Sequence, residues 1–370
     1  MLSLRSLVVV ACSLSVPSVF AAQCAATLSK GNAVATRLQS YYSSSSGSYN
    51  GGGRWTDANA VEDVHNFMLG AGVTTWDTLG NTWDVVTAAK ANANLDWYSY
   101  NQGFNDDAQW LILALYKIFD YKNTHGQDSS FYLDTAKKIY TAVAAEWDDT
   151  CGGGVWWSTD HTYKNAITNE LFLYTSARGY QITGDSTYLA NAQKAWAWLK
   201  ASGMRNSQGL WNDGLDSNTC QNNGQNTWTY NQGVILAGLG QMYQITGDST
   251  YITEAQTTLD AVDAHLTSGG VIKDTCDNSS GSSQCTGDGA EFKGAFMKHL
   301  QYFLDNAGSA SQTKYKDFVT RQYNAIVKAT NSNNDVGSSW YSGTAGSAFG
   351  IVETDSGLAG ITNAAKWGSC

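Results

Sequence analysis

The chain almost lacks proline. Its single proline, Pro17, lies near the N-terminus, and the 353 residues that follow contain none. Proline disrupts the interior of a helix, because it has no backbone N–H and its ring clashes with the preceding turn. The sequence therefore permits uninterrupted helices along nearly its whole length.

Basic residues are also scarce. Lys and Arg total 22 against 32 Asp and Glu, and only 15% of the residues are charged. Binding to nucleic acid or to an anionic membrane needs a basic patch, so we expect neither as a partner, and we expect a monomer. The 14 Trp and 37 Gly residues, together with many Asn, Ser and Thr, suit a neutral partner rich in hydroxyl groups.

Long apolar runs are missing after the first residues. Arg5 gives a positive start, residues 7–11 form an apolar core, and residues 19–21 fit a small-residue cleavage site. Together they are typical of a secretory signal over residues 1–21. No later segment is long and apolar enough to span a bilayer, and the C-terminal residues 366–370 show no apolar lipid-anchor tail. We expect a secreted, extracellular protein, with association to a cell wall left open.

Cysteine is infrequent, and its number becomes even once Cys12 leaves with the signal. The other six are Cys24, Cys151, Cys220, Cys276, Cys285 and Cys370. In an oxidising compartment they predict three disulfides, of which Cys276–Cys285 is favoured because its loop is short and polar. Asn278 opens a glycosylation pattern in that loop. Cys and His pairs at zinc-ligand spacing are absent, so we expect no metal, and no organic cofactor.

A repeat reveals the architecture. Residues 180–188 recur unchanged at 243–251, an offset of 63 residues. Each copy ends one helix, turns at glycine and caps the next helix. A unit of about 60 residues is a helical hairpin with a loop, and six units predict an all-α (α/α)6 barrel forming one domain over 22–370. Helices are expected to start near residues 25, 57, 79, 105, 129, 165, 186, 227, 249, 287, 310 and 348.

The predicted helices alternate in character. Residues 108–119, 171–180 and 233–243 are apolar nearly all round, as inner helices are, whereas the helices that follow them are amphipathic. The long polar stretches precede the inner helices. These stretches are 92–104, 148–164, 203–227, 268–287 and 331–343. We therefore expect them to gather, with the starts of the inner helices, at one mouth of the barrel.

Asp106 and Asp107 open an apolar helix at this predicted mouth, between Trp97 and Trp110. Two carboxyls this close cannot ionise independently, so one pKa rises and the other falls. Glycoside hydrolysis needs one charged and one protonated carboxyl, beside flat apolar faces for sugar rings. Alternatively, the two aspartates simply stabilise the positive end of the helix.

Aromatic and amide side chains at the same mouth are candidates for binding sugar, since indoles stack on sugar rings and amides both donate and accept hydrogen bonds. The candidates are Trp97, Trp110, Trp156, Trp157, Asn165, Asn169, Trp228, Tyr230, Asn231 and Gln232. Structural roles are the alternatives: the pair Trp156 and Trp157 could pack under a loop, and the amide side chains could cap helices. Glu291 and Lys293, at another helix start, are interpreted as a surface ion pair.

Five separated sequence blocks together resemble glycoside hydrolase family 76, the α-1,6-mannanases, and especially its secreted fungal members. The blocks are Asp106-Asp107 followed by Trp110, Cys151–Gly154 followed by Trp156-Trp157, Lys164–Ala166 leading to Asn169-Glu170, Thr229–Gly233, and Phe292–Gly294. The resemblance implies an (α/α)6 fold and a retaining mechanism on α-1,6-linked mannan or manno-oligosaccharides. It also implies that Asp106 is the nucleophile and Asp107 the general acid/base.

Three functions stay open at this point. The first is a secreted endo-α-1,6-mannanase. The second is a cell-wall transglycosylase, because some fungal members of the family are thought to transfer GPI-anchored mannoproteins onto wall glucan. The third is a wall-glycan-binding protein without catalytic activity. The expected absence of an anchor tail favours the free hydrolase.

Overall fold

The computed structural model describes residues 24–277 and 285–370. The predicted signal at 1–21 and the glycosylation pattern at Asn278 lie outside the described residues.

Helices dominate the described part of the chain. They are α1 (Ala25–Gln39), α2 (Arg54–Ala71), α3 (Leu79–Thr82), α4 (Asp84–Ala91), α5 (Trp97–Tyr100), α6 (Asn105–Thr124), α7 (Ser130–Ala145), α8 (Ala166–Thr183), α9 (Ser186–Ala201), α10 (Thr229–Thr246), α11 (Thr250–His265), α12 (Phe292–Asn306), α13 (Gly308–Ala329) and α14 (Ile351–Trp367). Among them, none is both long and apolar enough to cross a membrane.

Two short antiparallel hairpins interrupt the helices. Strand β1 (Tyr42–Ser43) pairs with β2 (Ser48–Tyr49), and β3 (Thr267–Ser268) pairs with β4 (Val271–Ile272). Both hairpins lie in loops that lead into inner helices, so they shape the mouth of the barrel and not its core.

Six helices form a closed inner ring. In the order α2, α6, α8, α10, α12 and α14, each packs against the next, and α14 packs against α2 again. Inner helices bury nearly every side chain; in α12 each residue from Phe292 to Leu304 is buried. The outer helices α1, α7, α9, α11 and α13 bury one face only, and the short α3 and α4 take the outer place after α2. The predicted (α/α)6 barrel is confirmed.

Glycine lets the inner helices approach closely. A Cβ atom on Gly233 of α10 would collide with the backbone of Phe296 in α12, and one on Gly294 of α12 would collide with the backbone of Ser356 in α14. The glycine-rich C-terminal segment forms α14 for the same reason, since glycines there face neighbouring side chains at short distance. Helix propensity alone disfavours glycine, but packing decides at these positions.

Three disulfides close the fold, including the predicted Cys276–Cys285. Cys24 pairs with Cys370, which joins the start of α1 to the residue shortly after α14, and Cys151 pairs with Cys220. The Cys151–Cys220 bridge connects the loop before α8 to the loop before α10. Two of the mouth loops are thus covalently held to each other.

The close approach of α10 and α12 predicts that Gly233→Ala is destabilising. Alanine gains about 1 kcal/mol in helix propensity, but the forced separation of two packed backbones costs roughly 1–3 kcal/mol or more. A thermal melt followed by circular dichroism should show a lower Tm. Gly53→Ala is the control, because the nearest atom to its new methyl would be Thr56 Oγ1 at 3.8 Å. Equal melting temperatures for the two variants would contradict this account of the packing.

Candidate active site

Asp106 and Asp107 lie in the first turn of α6, at the mouth of the barrel. Asn105, the first residue of this helix, is buried and fixes the loop that carries the Trp156–Trp157 pair. Its backbone N–H donates to the Trp157 carbonyl at 2.8 Å, and its side-chain Nδ2 donates to the Trp156 carbonyl at 2.9 Å. Two hydrogen bonds therefore fix the position of the Trp157 loop relative to the start of α6.

The two carboxyls have different hydrogen-bond environments. Asp106 Oδ2 accepts from the indole Nε1 of Trp157 at 2.9 Å, and Asp106 Oδ1 accepts from the backbone N–H of Asp107 at 3.0 Å. No described residue donates a hydrogen bond to the Asp107 carboxyl. Both side chains are partly exposed to the cavity, so a ligand can reach them.

This difference separates their pKa values. Burial raises the pKa of Asp106 to about 6, while the hydrogen bonds from Trp157 and the Asp107 backbone limit the rise. Burial, followed by repulsion from Asp106 and Asp288, raises the pKa of Asp107 to about 8, against a smaller opposing effect of Arg54. At neutral pH, Asp106 is mainly ionised and Asp107 mainly protonated. The helix N-terminus further favours the Asp106 anion.

A cavity of about 380 Å³ opens above the two aspartates. Its lining comes from the first turns of inner helices and from the loops before them. The lining residues are Trp55, Phe104, Asp106, Asp107, Trp110, Trp157, Tyr163, Asn165, Asp213, Tyr230, Asp288 and Phe292. Volumes of about 300–1,000 Å³ are typical of small-molecule sites.

Aromatic rings form much of the cavity lining. Tyr230 stacks on Phe292 with ring centroids 4.1 Å apart and an interplanar angle of 16°. Trp55 lies beside Trp110, with ring centroids 5.9 Å apart. Trp157 packs against Phe104, with ring centroids 4.9 Å apart. Flat apolar faces of this kind suit a sugar chain.

Two further carboxylates border the cavity. Asp213 Oδ2 accepts from the Tyr163 hydroxyl at 2.6 Å, and that hydroxyl in turn accepts from Asn223 Nδ2 at 2.9 Å. Asp288 Oδ1 accepts from the indole Nε1 of Trp55 at 2.8 Å. Each carboxylate keeps a second oxygen, which can accept a hydrogen bond from a ligand hydroxyl.

Of the ten residues that the sequence suggests as sugar ligands, four line this cavity: Trp110, Trp157, Asn165 and Tyr230. Asn165 is also the N-cap of α8, since its side chain accepts from the Thr168 backbone N–H at 3.3 Å. The structural and binding interpretations of Asn165 are therefore compatible.

Three of the ten have structural contacts instead. Trp97 is buried, lies edge-on to Tyr100 and borders a different cavity. The side-chain amide of Asn169 binds the backbone of Val155 twice: its Oδ1 accepts from the Val155 N–H at 2.7 Å, and its Nδ2 donates to the Val155 carbonyl at 3.0 Å. Gln232 holds the backbone of Trp211 in the same way, at 2.8 Å for each bond. The hydrogen-bonding groups of these two amides are already occupied by loop backbones, and Trp97 borders another cavity. We therefore no longer propose these three residues as sugar ligands.

The other three do not line this cavity. Trp156 is buried, donates from Nε1 to Asp148 Oδ2 at 2.9 Å and stacks on His161. Trp228 packs against Phe292, with ring centroids 5.2 Å apart. Asn231 is fully buried beside Asp213. Trp228 and Asn231 thus contact lining residues, whereas Trp156 borders a neighbouring cavity.

The expected surface ion pair of Glu291 and Lys293 is wrong. Both side chains are fully buried, and Lys293 Nζ pairs with Asp277 Oδ2 at 2.8 Å. Glu291 and Lys293 enter the core at the start of α12, which their charged side chains did not reveal in the sequence.

Six lining residues were absent from the predicted set: Trp55, Phe104, Tyr163, Asp213, Asp288 and Phe292. Trp55 and Phe292 occupy the first turns of inner helices, as Tyr230 does, so their position in the repeat carried a usable signal. Asp213 and Asp288 lie in the segments before α10 and α12 and follow no periodic pattern. Only the fold brings them to the cavity.

Comparison with known proteins identifies the family. Residues 27–366 match the sequence profile of Glycosyl hydrolase family 76. The chain belongs to this family. Among curated relatives of this family 76 chain, mannan endo-1,6-α-mannosidase DCW1 of Saccharomyces cerevisiae is 27% identical over 278 residues. The match covers 72% of this chain and 61% of that protein, so it spans less than two thirds of the relative's length.

Solved structures share the fold. An inactive variant of the α-1,6-mannanase GH76A of Salegentibacter sp. HEL1_6, with two consecutive aspartates changed to asparagine and in complex with α-1,6-mannotriose, matches with a TM-score of 0.77 and 21% identity, covering 92% of this chain and 99% of that one. Dfg5 from Chaetomium thermophilum, in complex with glucosamine, matches with a TM-score of 0.80 and 19% identity, covering 94% of this chain and 92% of that one.

Proposed function

We propose that this family 76 chain is a retaining endo-α-1,6-mannanase. The observation that carries the proposal is the pair of adjacent carboxyls, with unequal pKa values, in a cavity walled by aromatic rings. The names of the curated relatives support mannan as the substrate. The inactive neighbour altered at two consecutive aspartates and bound to α-1,6-mannotriose has the same pattern as Asp106–Asp107.

In the proposed mechanism, the Asp106 carboxylate attacks the anomeric carbon of a bound mannose. As that bond forms, the bond to the glycosidic oxygen breaks, and Asp107 gives this oxygen its proton. The product is a mannosyl ester of Asp106 with Asp107 ionised. Asp107 then takes a proton from water, the resulting oxygen attacks the anomeric carbon, and the ester bond to Asp106 breaks. Both carboxyls return to their starting states.

The surrounding residues serve these steps by position. The indole N–H of Trp157 stabilises the ionised form of Asp106 and orients its carboxylate, because it donates to one of the two oxygens. The carboxylate can then attack the sugar from the cavity side. Trp110 and Tyr230 offer faces for sugar rings, and Asp213 and Asp288 accept hydrogen bonds from sugar hydroxyls. Once Asp106 is esterified, its repulsion of Asp107 disappears, so the pKa of Asp107 falls and it can serve as a base.

Transfer to a glycan acceptor is the second candidate, and it uses the same covalent intermediate. A second cavity shares Tyr163 with the first and is bordered by Trp156, His161 and Asn223. An acceptor sugar held there would compete with water for the intermediate. Products longer than the starting oligosaccharide would indicate transfer, whereas only shorter products would indicate hydrolysis.

We also propose that residues 1–21 are a secretory signal and that 22–370 form one monomeric catalytic domain. Three disulfides and fungal relatives with mannan-directed names support an extracellular or cell-wall location. N-terminal sequencing of protein secreted by the native host would test the cleavage site.

Substitution of the two aspartates should have different consequences. On α-1,6-mannan, Asp107→Ala should lose about 10²–10⁴-fold in rate, because the leaving oxygen receives no proton. With a dinitrophenyl mannoside, whose leaving group needs no proton, Asp107→Ala should form the intermediate, and added azide should yield the α-mannosyl azide. Asp106→Ala should instead give the β-azide, because azide then attacks the substrate directly. NMR of the products distinguishes the two, and an inverted product from the unmodified enzyme would contradict double displacement.

The pH profile of kcat/KM should be bell-shaped, rising as Asp106 ionises near pH 6 and falling as Asp107 loses its proton near pH 8. Trp157→Phe removes a donor to the charged form of Asp106, so the pKa of Asp106 rises and the acidic limb moves to higher pH. Trp156→Phe is the matched control, because that indole donates to Asp148 instead. An unchanged acidic limb in Trp157→Phe, or an equal shift in both variants, would refute the proposed pairing.

A further inference from the structure

Three fully buried carboxyls meet in the core of the barrel, outside the catalytic cavity. They belong to Asp63 of α2, Glu291 immediately before α12, and Asp355 of α14, and each is 0% exposed. One oxygen from each of these three, here called the carboxylate triad, lies within 4.8 Å of the others. The three helices are consecutive in the inner ring, so the triad sits where they converge.

The cations nearby do not balance this charge. Lys298 Nζ lies 3.0 Å from Glu62 Oε2 and 3.6 Å from Asp63 Oδ2, and it also donates to Asn59 Oδ1 at 2.5 Å. Lys293, the other cation that acts on Glu291, is paired with Asp277. Lys298 is thus shared with Glu62, a fourth carboxylate, and Lys117 adds a further attraction to Asp63 and Glu62. Four carboxyls therefore face two ammonium groups. A buried excess of negative charge is costly unless protons or a cation compensate it.

The geometry favours a cation over protons shared between the carboxyls. Carboxyls that share a proton approach to an O–O distance of roughly 2.5–3.0 Å. All six oxygens of the triad are buried, and within residues 24–277 and 285–370 none has a hydrogen-bond partner. Lys298 Nζ approaches Asp63 Oδ2 only to the 3.6 Å of an ion pair. Oxygens bound to one Ca²⁺ at about 2.3–2.6 Å lie up to about 5 Å apart across the ion. Separations up to 4.8 Å fit ligation of an ion.

We propose that the carboxylate triad binds one hard divalent cation, with Ca²⁺ the ion whose size suits it. Carboxylate oxygens alone are the ligand set that hard cations prefer. No local pattern in the sequence indicates such a site, because its three ligands come from distant segments and include no Cys or His. The ion would hold α2, α12 and α14 together, and its ligand Glu291 directly precedes Phe292, which lines the catalytic cavity. This proposal does not depend on the proposed catalytic activity.

The test uses the full protein, stripped with EGTA and dialysed into metal-free buffer. Isothermal titration with CaCl₂, checked by elemental analysis, should give one Ca²⁺ per chain, and added Ca²⁺ should raise Tm by several degrees. Asp355→Asn, nearly isosteric, should lose both effects. Asp134→Asn is the matched control, because this aspartate is exposed and far from the triad in sequence, and it should retain both.

Two results would overturn the proposal. One is a stripped wild-type protein that binds neither Ca²⁺ nor Mg²⁺ at millimolar concentration and whose Tm does not respond to them. The other is stoichiometric binding that persists in Asp355→Asn and in a second variant, Glu291→Gln. The wild-type measurements need no variant, so a folding failure of either substitution leaves the proposal testable.

Discussion

The common direction of the six inner helices is the constraint on which the site depends. Because α2, α6, α8, α10, α12 and α14 all begin at one mouth, their unpaired N–H groups and first-turn side chains converge there. The loops before them can vary in length without disturbing the ring. Glycines such as Gly233 and Gly294 let the ring close tightly, so the mouth is narrow enough to bring aromatic and acidic side chains into one cavity.

Within that mouth, unequal hydrogen bonding and charge repulsion make two identical side chains different. Both aspartates share the start of α6, and burial raises both pKa values, but only Asp106 receives the Trp157 indole N–H. The indole is itself held by backbone bonds between its loop and Asn105. The fold therefore separates the pKa values of the two carboxyls through loop placement, since the two residues have the same chemistry.

The sequence revealed the barrel well, because its signals are local and repeated: no proline after the N-terminal segment, a 63-residue repeat and alternating helix character. It also located the Asp106–Asp107 pair. The sequence could not show which polar residues beside the helix starts face the cavity and which hold loop backbones. Asn169 and Gln232 look like ligands in sequence, yet they hold loop backbones, whereas Asp213 and Asp288 reach the cavity from loops without pattern. Such assignments depend on contacts between distant segments, which no local pattern encodes.

The central claim is that Asp106, and not its neighbour, forms a covalent bond to the sugar. The most direct test is to trap the intermediate with a slowly hydrolysed fluorinated mannosyl donor and map the labelled peptide by mass spectrometry. The account predicts one mannosyl label per chain, located on Asp106 and absent from Asp106→Asn. A label on Asp107 or on any other residue, or an active enzyme that never accumulates a label, would contradict it.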